Sequence, residues 1–392
     1  MIPRTLAPTL IQLAEKYPVV TVTGPRQSGK TTICRHAFPS KPYVNLESPD
    51  TRQFANADPR GFLAAYPDGA IFDEIQRCPQ LLSYLQPMID ERGVPGHYIL
   101  TGSQQLDVMA TVSQSLAGRT ALLKLLPFSI EELSVVDPKP NVDRMLLHGF
   151  YPRIHDAGLN PTQAMGDYLE TYVDRDIRQL IHVKDLSLFH RFVQLAAGRV
   201  GQLLNLQSLG SDVGISHTTA RAWLTMLEAS YVVFLLQPWH SNLSKRQIKT
   251  PKLYFYDVGL AAYLLGAESE LHVGRHPLRG NLFENLVIAD ALKYRFHRGH
   301  RSNLHFWRDA KGNEVDLIVE SGLHVMPVEI KAGATINEDF FKGLRSFSSK
   351  LPSPPRASAL VYGGTERQKR SDIRVWRATD VAEMMATSST DN

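Results

Sequence analysis

Short apolar runs recur through the first third of the chain, and polar segments of helical length separate them. The runs cover residues 18–23, 41–46, 69–74, 97–103 and 120–126. Such short, β-branched runs are typical of strands that are buried on both faces of a parallel sheet. Helices are predicted beside and between them, over 1–16, 31–36, 52–57, 59–66, 81–91 and 104–118. The pattern therefore predicts an α/β domain with a parallel sheet.

The central third changes to a mostly helical pattern. Ser129 followed by Glu132 predicts a capped helix start, and residues 137–141 have the composition of a linker. Helices are predicted over 142–180 with a break at 149–153, and over 188–195, 203–211, 217–229 and 259–265. Strands are predicted at 231–236 and 253–257.

Helices 203–211 and 217–229, the glycine-containing turn between them and the strands that follow are typical of a winged helix. The residues near the start of the second helix could contact DNA, namely His217, Thr218, Thr219 and Arg221. The predicted wing is basic, with Lys245, Arg246, Lys249 and Lys252. A winged helix that only packs between domains is the alternative, because a fold does not by itself define a function.

The last third returns to a mixed pattern. A helix is predicted from residue 280, and the alternation of apolar and polar residues predicts strands at 312–320, 326–331 and 359–362. The polar residues 386–392 are expected to form a disordered tail.

Composition limits the compartment and the partners. The 392 residues allow two to three domains, and the net charge of +4 permits nucleic acid as a partner. Two cysteines, Cys34 and Cys78, cannot build a disulfide framework and favour a reducing compartment. No apolar run reaches the length of a membrane span, and no signal peptide is expected. The sequence therefore predicts a cytoplasmic protein without a membrane partner.

A phosphate-binding loop is predicted directly after the first strand. The sequence from Gly24 to Thr31 fits G-x-x-x-x-G-K-[ST] and lies between a strand and a helix, the context that this motif requires. Its backbone N–H groups would hold phosphate, while Lys30 would reach the β- and γ-phosphates and the Thr31 hydroxyl would bind Mg²⁺. The predicted nucleotide-binding residues are Gly24, Pro25, Arg26, Gln27, Ser28, Gly29, Lys30, Thr31 and Thr32.

Acidic and small polar residues end two of the other predicted strands. Asp73 would bind Mg²⁺ and Glu74 would polarise the attacking water, because ATP hydrolysis needs a held metal ion and an oriented nucleophile. Ser103 is the first choice for a further contact to the γ-phosphate, and Thr101 is the second.

The series of P-loop, Phe72-Asp73-Glu74, Thr101-Gly102-Ser103 and Leu116-Ala117-Gly118-Arg119 resembles the AAA+ superfamily. It is most similar to predicted prokaryotic ATPases in which an AAA_14-type domain precedes a DUF4143-type region of uncharacterised function. The resemblance implies ATP and Mg²⁺ as ligands and a homo-oligomer such as a ring. It also implies a helical lid in which Arg153 or Arg175 touches the nucleotide or a neighbouring subunit, and it implies Arg119 as an arginine finger. For each of these arginines a salt bridge within the chain is the alternative.

A second set of charged residues lies in the last third. Glu284 is expected in the first turn of a helix, Asp316 on a strand, and Glu329 and Lys331 on one face of the next strand. The set resembles the PD-(D/E)xK nuclease superfamily. This resemblance implies that Glu284, Asp316 and Glu329 bind Mg²⁺ or Mn²⁺, and that Lys331 orients water or stabilises the transition state. A hairpin with alternating charges on a solvated face is the alternative.

These features predict a three-part α/β protein: an AAA+ ATPase domain, a helical lid joined to a winged helix, and a restriction-endonuclease-like domain. The predicted segments are 1–135 (ATPase), 136–190 (lid), 191–255 (winged helix), 256–385 (nuclease-like) and 386–392 (tail). The predicted function is ATP hydrolysis coupled to DNA binding or remodelling, with metal-dependent nuclease activity as a second activity. The alternative is a nucleotide-dependent switch or partner-binding protein, of defence or toxin–antitoxin type, with an inactive nuclease-like scaffold.

Overall fold

A computed structural model describes residues 2–103, 115–138, 140–173, 186–240, 250–370 and 372–389. The chain forms two compact units. Unit 1 contains Met1–Phe128, Ala229–Tyr231 and Arg295–His300, and unit 2 contains Ser129–Glu228, Val232–Tyr294 and Arg301–Asn392.

Unit 1 is built on a five-stranded sheet in which every pair of neighbouring strands is parallel, as predicted. The strands are β1 (Val19–Thr23), β2 (Tyr43–Asn45), β3 (Ala70–Asp73), β4 (Tyr98–Gly102) and β5 (Thr120–Lys124), in the spatial order β2-β3-β4-β1-β5. Alternate residues of the central strands enter two separate apolar clusters. The continuous apolar runs in the sequence follow from this burial on both faces.

Helices connect these strands. They are α1 (Ala7–Ala14), α2 (Lys30–Ala37), α3 (Pro49–Ala57), α4 (Pro59–Ala64) and α5 (Leu81–Arg92). The first helix begins later than the predicted residue 1, and Pro8 lies in its first turn, where its missing N–H costs nothing. Most of the helix predicted over 104–118 lies outside the described residues.

The first part of unit 2 is helical. Its helices are α6 (Ile130–Leu133), α7 (Val142–His148), α8 (Pro152–Ala157), α9 (Pro161–Tyr168), α10 (Leu186–Ala197), α11 (Leu206–Val213) and α12 (His217–Ala229), the last of which ends in unit 1. The predicted capping box is confirmed, because Ser129 Oγ accepts from the backbone N–H of Glu132 and the Ser129 N–H donates to Glu132 Oε2. Arg175 lies outside the described residues.

After α12, strands β6 (Val233–Leu236) and β7 (Lys252–Phe255) form an antiparallel pair. Lys245, Arg246 and Lys249 of the predicted basic wing lie outside the described residues. Lys252 does not belong to an exposed wing: it is 2% exposed and bound to carboxylates of unit 2. This expectation was wrong because its acidic partners are distant in sequence.

The last part of unit 2 contains a six-stranded mixed sheet. Three helices precede it: α13 (Val258–Leu264), α14 (Glu270–Arg275) and α15 (Arg279–Phe296), the end of which belongs to unit 1. The strands are β8 (Leu304–Arg308), β9 (Glu314–Ser321), β10 (His324–Lys331), β11 (Ser358–Tyr362), β12 (Gln368–Arg370) and β13 (Ile373–Arg377), in the order β12-β13-β11-β10-β9-β8. The predicted hairpin is confirmed, because β9 and β10 pair antiparallel with Leu317 opposite Val328.

Two further helices belong to this part, α16 (Lys342–Ser348) and α17 (Val381–Ser389). The predicted tail is corrected where it is described: residues 386–389 continue α17, whose Met384 and Met385 are buried. Within the described ranges, none of the helices combines the length and the apolar character needed to cross a bilayer.

Candidate functional site

The loop between β1 and α2 has the backbone shape of a phosphate cradle. Gln27 and Gly29 have φ angles of 60° and 90°, which lie in the left-handed region. Backbone that changes between right- and left-handed residues turns successive N–H groups towards one point. Gly24 is required by close approach, because a Cβ there would lie 2.0 Å from the carbonyl oxygen of Leu125.

Lys30 and Ser28 supply the polar side chains of this cradle. Lys30 is buried, and its ammonium donates to the carbonyl oxygens of Gly24 (3.0 Å) and Pro25 (2.7 Å). Burial lowers the pKa of Lys30, although the nearby carboxylates of Glu74 and Asp73 oppose this effect. Ser28 Oγ is buried without a hydrogen-bond partner among the described residues. A cation and an unpartnered hydroxyl in a cradle of N–H groups fit a bound phosphate.

Arg4, which the sequence analysis missed, braces this loop from outside. Its guanidinium donates to the carbonyl oxygen of Ser28 and to that of Leu126, both at 2.6 Å, and lies 4.8 Å from the centroid of the Phe128 ring. No local sequence signal could have found it, because its partners are 24 and 122 residues away.

Asp73 lies at the carboxyl end of β3, beside Thr31. Its Oδ2 accepts from the Thr31 hydroxyl at 2.9 Å and from the Tyr43 hydroxyl at 2.7 Å, and its Oδ1 accepts from Thr101. Burial and the bond to Asp73 raise the pKa of Tyr43. A carboxylate and a hydroxyl at this spacing are hard oxygen donors that suit Mg²⁺. The structure thus brings together the two predicted Mg²⁺ ligands, and Tyr43 is a member that the sequence analysis missed.

Glu74 follows directly in a left-handed conformation with φ 58°. Its Oε2 accepts from Ser103 Oγ at 2.8 Å and from Gln76, whose amide also donates to Ser103 at 3.2 Å. Burial raises the pKa of Glu74, but the charge of Lys30 and the bond from Ser103 outweigh burial and leave the pKa below its usual value. Glu74 is therefore an ionised carboxylate at neutral pH. The two candidates at the end of β4 contact different carboxylates, since the Ser103 hydroxyl donates to Glu74 and the Thr101 hydroxyl donates to Asp73. The Thr101 oxygen also accepts from the backbone N–H of Glu74 at 3.2 Å.

Arg26 and Arg119 make ion pairs in unit 1. Arg26 Nη1 lies 3.7 Å from Glu47 Oε1. Arg119 binds Asp90 with two hydrogen bonds of 2.5 and 2.8 Å. Arg119 precedes β5, whereas the P-loop follows β1, and these strands are parallel with Val19 opposite Thr120. Arg119 thus lies at the opposite end of the sheet, about 16 Å away at 3.3 Å per residue.

Unit 2 brings together the predicted acids and the lysine of the second set. Lys331 Nζ lies 2.5 Å from Glu329 Oε1 and 3.3 Å from Asp316 Oδ2, which also accepts from the Ile330 N–H at 2.8 Å. Burial and the charge of Asp316 raise the pKa of Glu329 to about 8. Glu329 Oε2 is buried without a partner among the described residues. This unpartnered oxygen beside a second carboxylate fits one divalent ion.

Glu284 is held differently from the expectation. It is the sixth residue of α15, not a member of the first turn, because the helix begins at Arg279. Its Oε1 accepts from Lys252 at 3.0 Å and from Tyr254 at 2.5 Å, and burial together with the charge of Asp316 raises its pKa to about 7. Across the described part of the chain, no three His, Cys, Asp or Glu side chains are grouped to hold one metal ion. The expected three-acid metal shell is therefore not formed, since Lys252 and Tyr254 occupy Glu284.

Three family models match the chain. An AAA domain matches residues 16–134, a domain of unknown function (DUF8612) matches 139–271, and a second domain of unknown function (DUF4143) matches 279–381. The AAA domain and the DUF4143 region agree with the family resemblance in the sequence. The P-loop, Asp73, Glu74 and Ser103 all lie within the first of these ranges.

Two mycobacterial proteins are similar over nearly the whole chain. They are the uncharacterized proteins Rv2008c of Mycobacterium tuberculosis and Mb2031c of Mycobacterium bovis. Each is 31% identical over 392 residues, which is 99% of this chain and 86% of the relative.

Among solved structures, the Walker-type ATPase paby2304 of Pyrococcus abyssi is similar to 67% of this chain and 96% of its own, with 16% identity and a TM-score of 0.46. AMPPCP-bound DnaA from Aquifex aeolicus is similar to 57% of this chain and 86% of its own, with 13% identity and a TM-score of 0.31.

Proposed function

The chain belongs to the same family as these two mycobacterial proteins and carries an AAA-type P-loop ATPase domain, and from this premise we propose that it hydrolyses ATP to ADP and phosphate. One observation carries the proposal. Two hydrogen-bonded pairs, Thr31 with Asp73 and Glu74 with Ser103, adjoin each other, because Glu74 directly follows Asp73 and Thr31 directly follows Lys30 of the cradle. The first suits a metal ion and the second suits a water molecule.

Each residue has a separate part in the proposed reaction. The loop N–H groups and Lys30 bind the phosphates, and Thr31 and Asp73 hold Mg²⁺. Bound Mg²⁺ would neutralise charge on the phosphate oxygens. Glu74 accepts a hydrogen bond from the attacking water and orients it, and its lowered pKa keeps it ionised for this purpose. Ser103 positions the Glu74 carboxylate.

Steady-state release of phosphate from the full-length chain tests this assignment. We expect Lys30→Ala to lose ATP binding and turnover together, because it removes the cation of the cradle. Glu74→Gln should bind ATP with nearly the wild-type affinity and lose turnover. Glu91→Gln, an exposed acid on α5, is the matched control and should behave as wild type. Wild-type turnover by Glu74→Gln would refute the role of Glu74.

We also propose that the active form is a homo-oligomer in which Arg119 serves a neighbour. Its position at the far end of the sheet supports this, because Arg119 could reach only the P-loop of another chain. Mixing Arg119→Ala with Lys30→Ala chains should restore turnover at mixed interfaces. Asp90→Asn is the matched control: it breaks the same ion pair and should retain turnover. If Arg119→Ala and Asp90→Asn have the same mild effect, Arg119 is only a surface ion-pair residue.

DNA is the proposed partner of unit 2. Its α11–α12 helix pair, followed by the β6–β7 pair, supports a winged helix, and His217, Thr218 and Arg221 are exposed at the start of α12. We expect DNA to stimulate ATP turnover and Arg221→Ala to reduce this stimulation. The alternative, a nucleotide-dependent switch for a protein partner, predicts turnover that is indifferent to every nucleic acid.

A metal-dependent nuclease is the second candidate activity. It is favoured by the pairing of Asp316 with Glu329 beside Lys331 and by the unpartnered oxygen of Glu329. Two carboxylates and water can hold one Mg²⁺ or Mn²⁺ ion, which would lower the pKa of a bound water. DNA cleavage with Mn²⁺ should be lost in Lys331→Ala, while ATP binding should be retained.

A further inference from the structure

Lys252 is a buried cation that reaches the acid cluster from outside the segment that supplies the acids. It lies on β7, within residues 139–271 of the DUF8612 match, whereas the acids belong to the DUF4143 match over 279–381. Its side chain is 3% exposed, and its ammonium contacts the carboxylates of Glu284 (3.0 Å) and Glu314. The cluster is therefore built from two regions of the chain that the family models treat separately.

The charges of the cluster divide into two halves. In one half, Lys331 lies between Asp316 and Glu329. In the other half, Lys252 lies between Glu284 and Glu314, and Arg308 adds a second cation to Glu314 at 3.1 Å. Buried carboxylates need a compensating charge close by. Every carboxylate of the cluster has one, but Lys331 contacts only Oε1 of Glu329 and leaves its Oε2 without a partner among the described residues.

The two lysines also differ in how strongly the protein encloses their side chains. Lys331 is 33% exposed at its side chain and can move when a ligand enters. Lys252 is enclosed, with its ammonium 5.6 Å from the centroid of the Phe306 ring. Tyr254, two residues along the same strand, donates to the same oxygen of Glu284 and fixes that carboxylate. The Lys252 ammonium is thus enclosed beside Glu284.

We propose that Lys252 is a built-in counter-ion that takes the place of a second divalent cation beside Glu284. The inference rests on the proposed metal site at Asp316 and Glu329 and specifies its capacity. Two-metal nucleases hold their ions about 3.5–4 Å apart and need carboxylates for both. Here Glu284 and Glu314 are neutralised by the enclosed ammonium of Lys252. The ammonium at Asp316 and Glu329 belongs to the more exposed Lys331 and leaves Glu329 Oε2 without a partner, so the cluster admits one divalent ion, at Asp316 and Glu329.

Titration of the nucleotide-free, full-length chain with Mn²⁺ tests this inference. Calorimetry gives the stoichiometry, and electron paramagnetic resonance detects pairs of coupled ions. Each protein is measured beside its Asp316→Asn companion, so that ions bound at the cluster are distinguished from ions bound at the P-loop. We expect the wild type to bind one Mn²⁺ that Asp316→Asn removes.

Lys252→Gln should bind a second Mn²⁺, with coupled resonance, or bind the first at least tenfold more tightly. Lys252→Arg keeps the positive charge and should match the wild type. Equal stoichiometry and affinity in the wild type and a folded Lys252→Gln would overturn the inference and leave the one-ion site intact. Two coupled ions in the wild type would overturn it without any variant. No binding in any of these proteins would overturn the metal site itself, and the inference with it.

Discussion

Replacement of Arg4 tests how the phosphate cradle is held in shape. The Arg4 guanidinium fixes the Ser28 carbonyl outside the loop. Because the peptide bond is planar and trans, the Gly29 N–H points in the direction opposite to the Ser28 carbonyl, away from Arg4, and its orientation in the loop is fixed by the same hydrogen bond. We therefore expect Arg4→Ala to weaken ATP binding even though Arg4 is not among the predicted nucleotide ligands.

The size of the effect follows from the hydrogen bonds. A hydrogen bond from a charged donor contributes about 1.5–3 kcal/mol. If the loop of Arg4→Ala becomes ordered only when ATP binds, part of the binding free energy is used to order it. Loss of the hydrogen bond to Ser28 alone then raises the Kd for ATP about 10- to 100-fold. The bond to Leu126, also 2.6 Å, contributes to stability in addition. Thermal unfolding without nucleotide should show that loss separately.

The assay is a fluorescence titration with an ATP analogue in the presence of Mg²⁺. Arg4→Lys keeps the charge but not the forked donor geometry, and we expect an intermediate Kd. Arg60→Ala, an exposed arginine on α4, is the matched control and should bind as wild type. If folded Arg4→Ala binds ATP within twofold of the wild type, the brace does not shape the loop and the reasoning fails.

Two further predictions concern unit 2. Gly149→Ala should lower the melting temperature clearly more than Gly158→Ala. Gly158 has φ 61° and ψ 35°, in the left-handed helical region that costs about 1–2 kcal/mol for a residue with a Cβ. Gly149 has φ 59° and ψ −153°, a region almost restricted to glycine, and a Cβ there would also lie 2.1 Å from Asp257 Oδ1, whereas nothing lies within 4 Å of a Cβ at 158. Equal losses would contradict both the backbone strain and the clash at 149. Glu329→Gln should flatten the pH dependence of the free energy of unfolding. In the wild type the pKa of Glu329 is about 8 in the folded state, above its value in the unfolded chain, so the folded state binds the extra proton. The wild type therefore loses stability as pH rises from about 4.5 to 8. Denaturant titrations at pH 5, 7 and 9 measure this slope, and an unchanged slope in the variant would show that Glu329 does not cause it.

The parallel sheet and the cradle could be predicted because their signals are local. The strand, the glycines and Lys30 lie within a dozen residues, and burial on both faces of the sheet leaves continuous apolar runs. The hairpin of β9 and β10 was predicted for a similar reason, since its two strands are joined by a short turn.

What the sequence could not predict depends on contacts between distant residues. Arg4 and Tyr43 are ordinary residues until the fold places them on the P-loop and Asp73. Lys252 was predicted to belong to a basic wing, because it follows Lys245, Arg246 and Lys249 in the sequence. Its acids are 32 and 62 residues further along, so only the fold could reveal the ion pairs.

The left-handed backbone at Glu74 has a consequence for evolution and for engineering. A residue with a Cβ pays of order 1–3 kcal/mol in this region, whereas glycine adopts it freely. Selection for stability alone would therefore favour glycine at position 74, and selection for turnover would favour the carboxylate. A library of variants sorted by heat resistance should enrich Gly at this position among proteins that still bind ATP but have stopped consuming it.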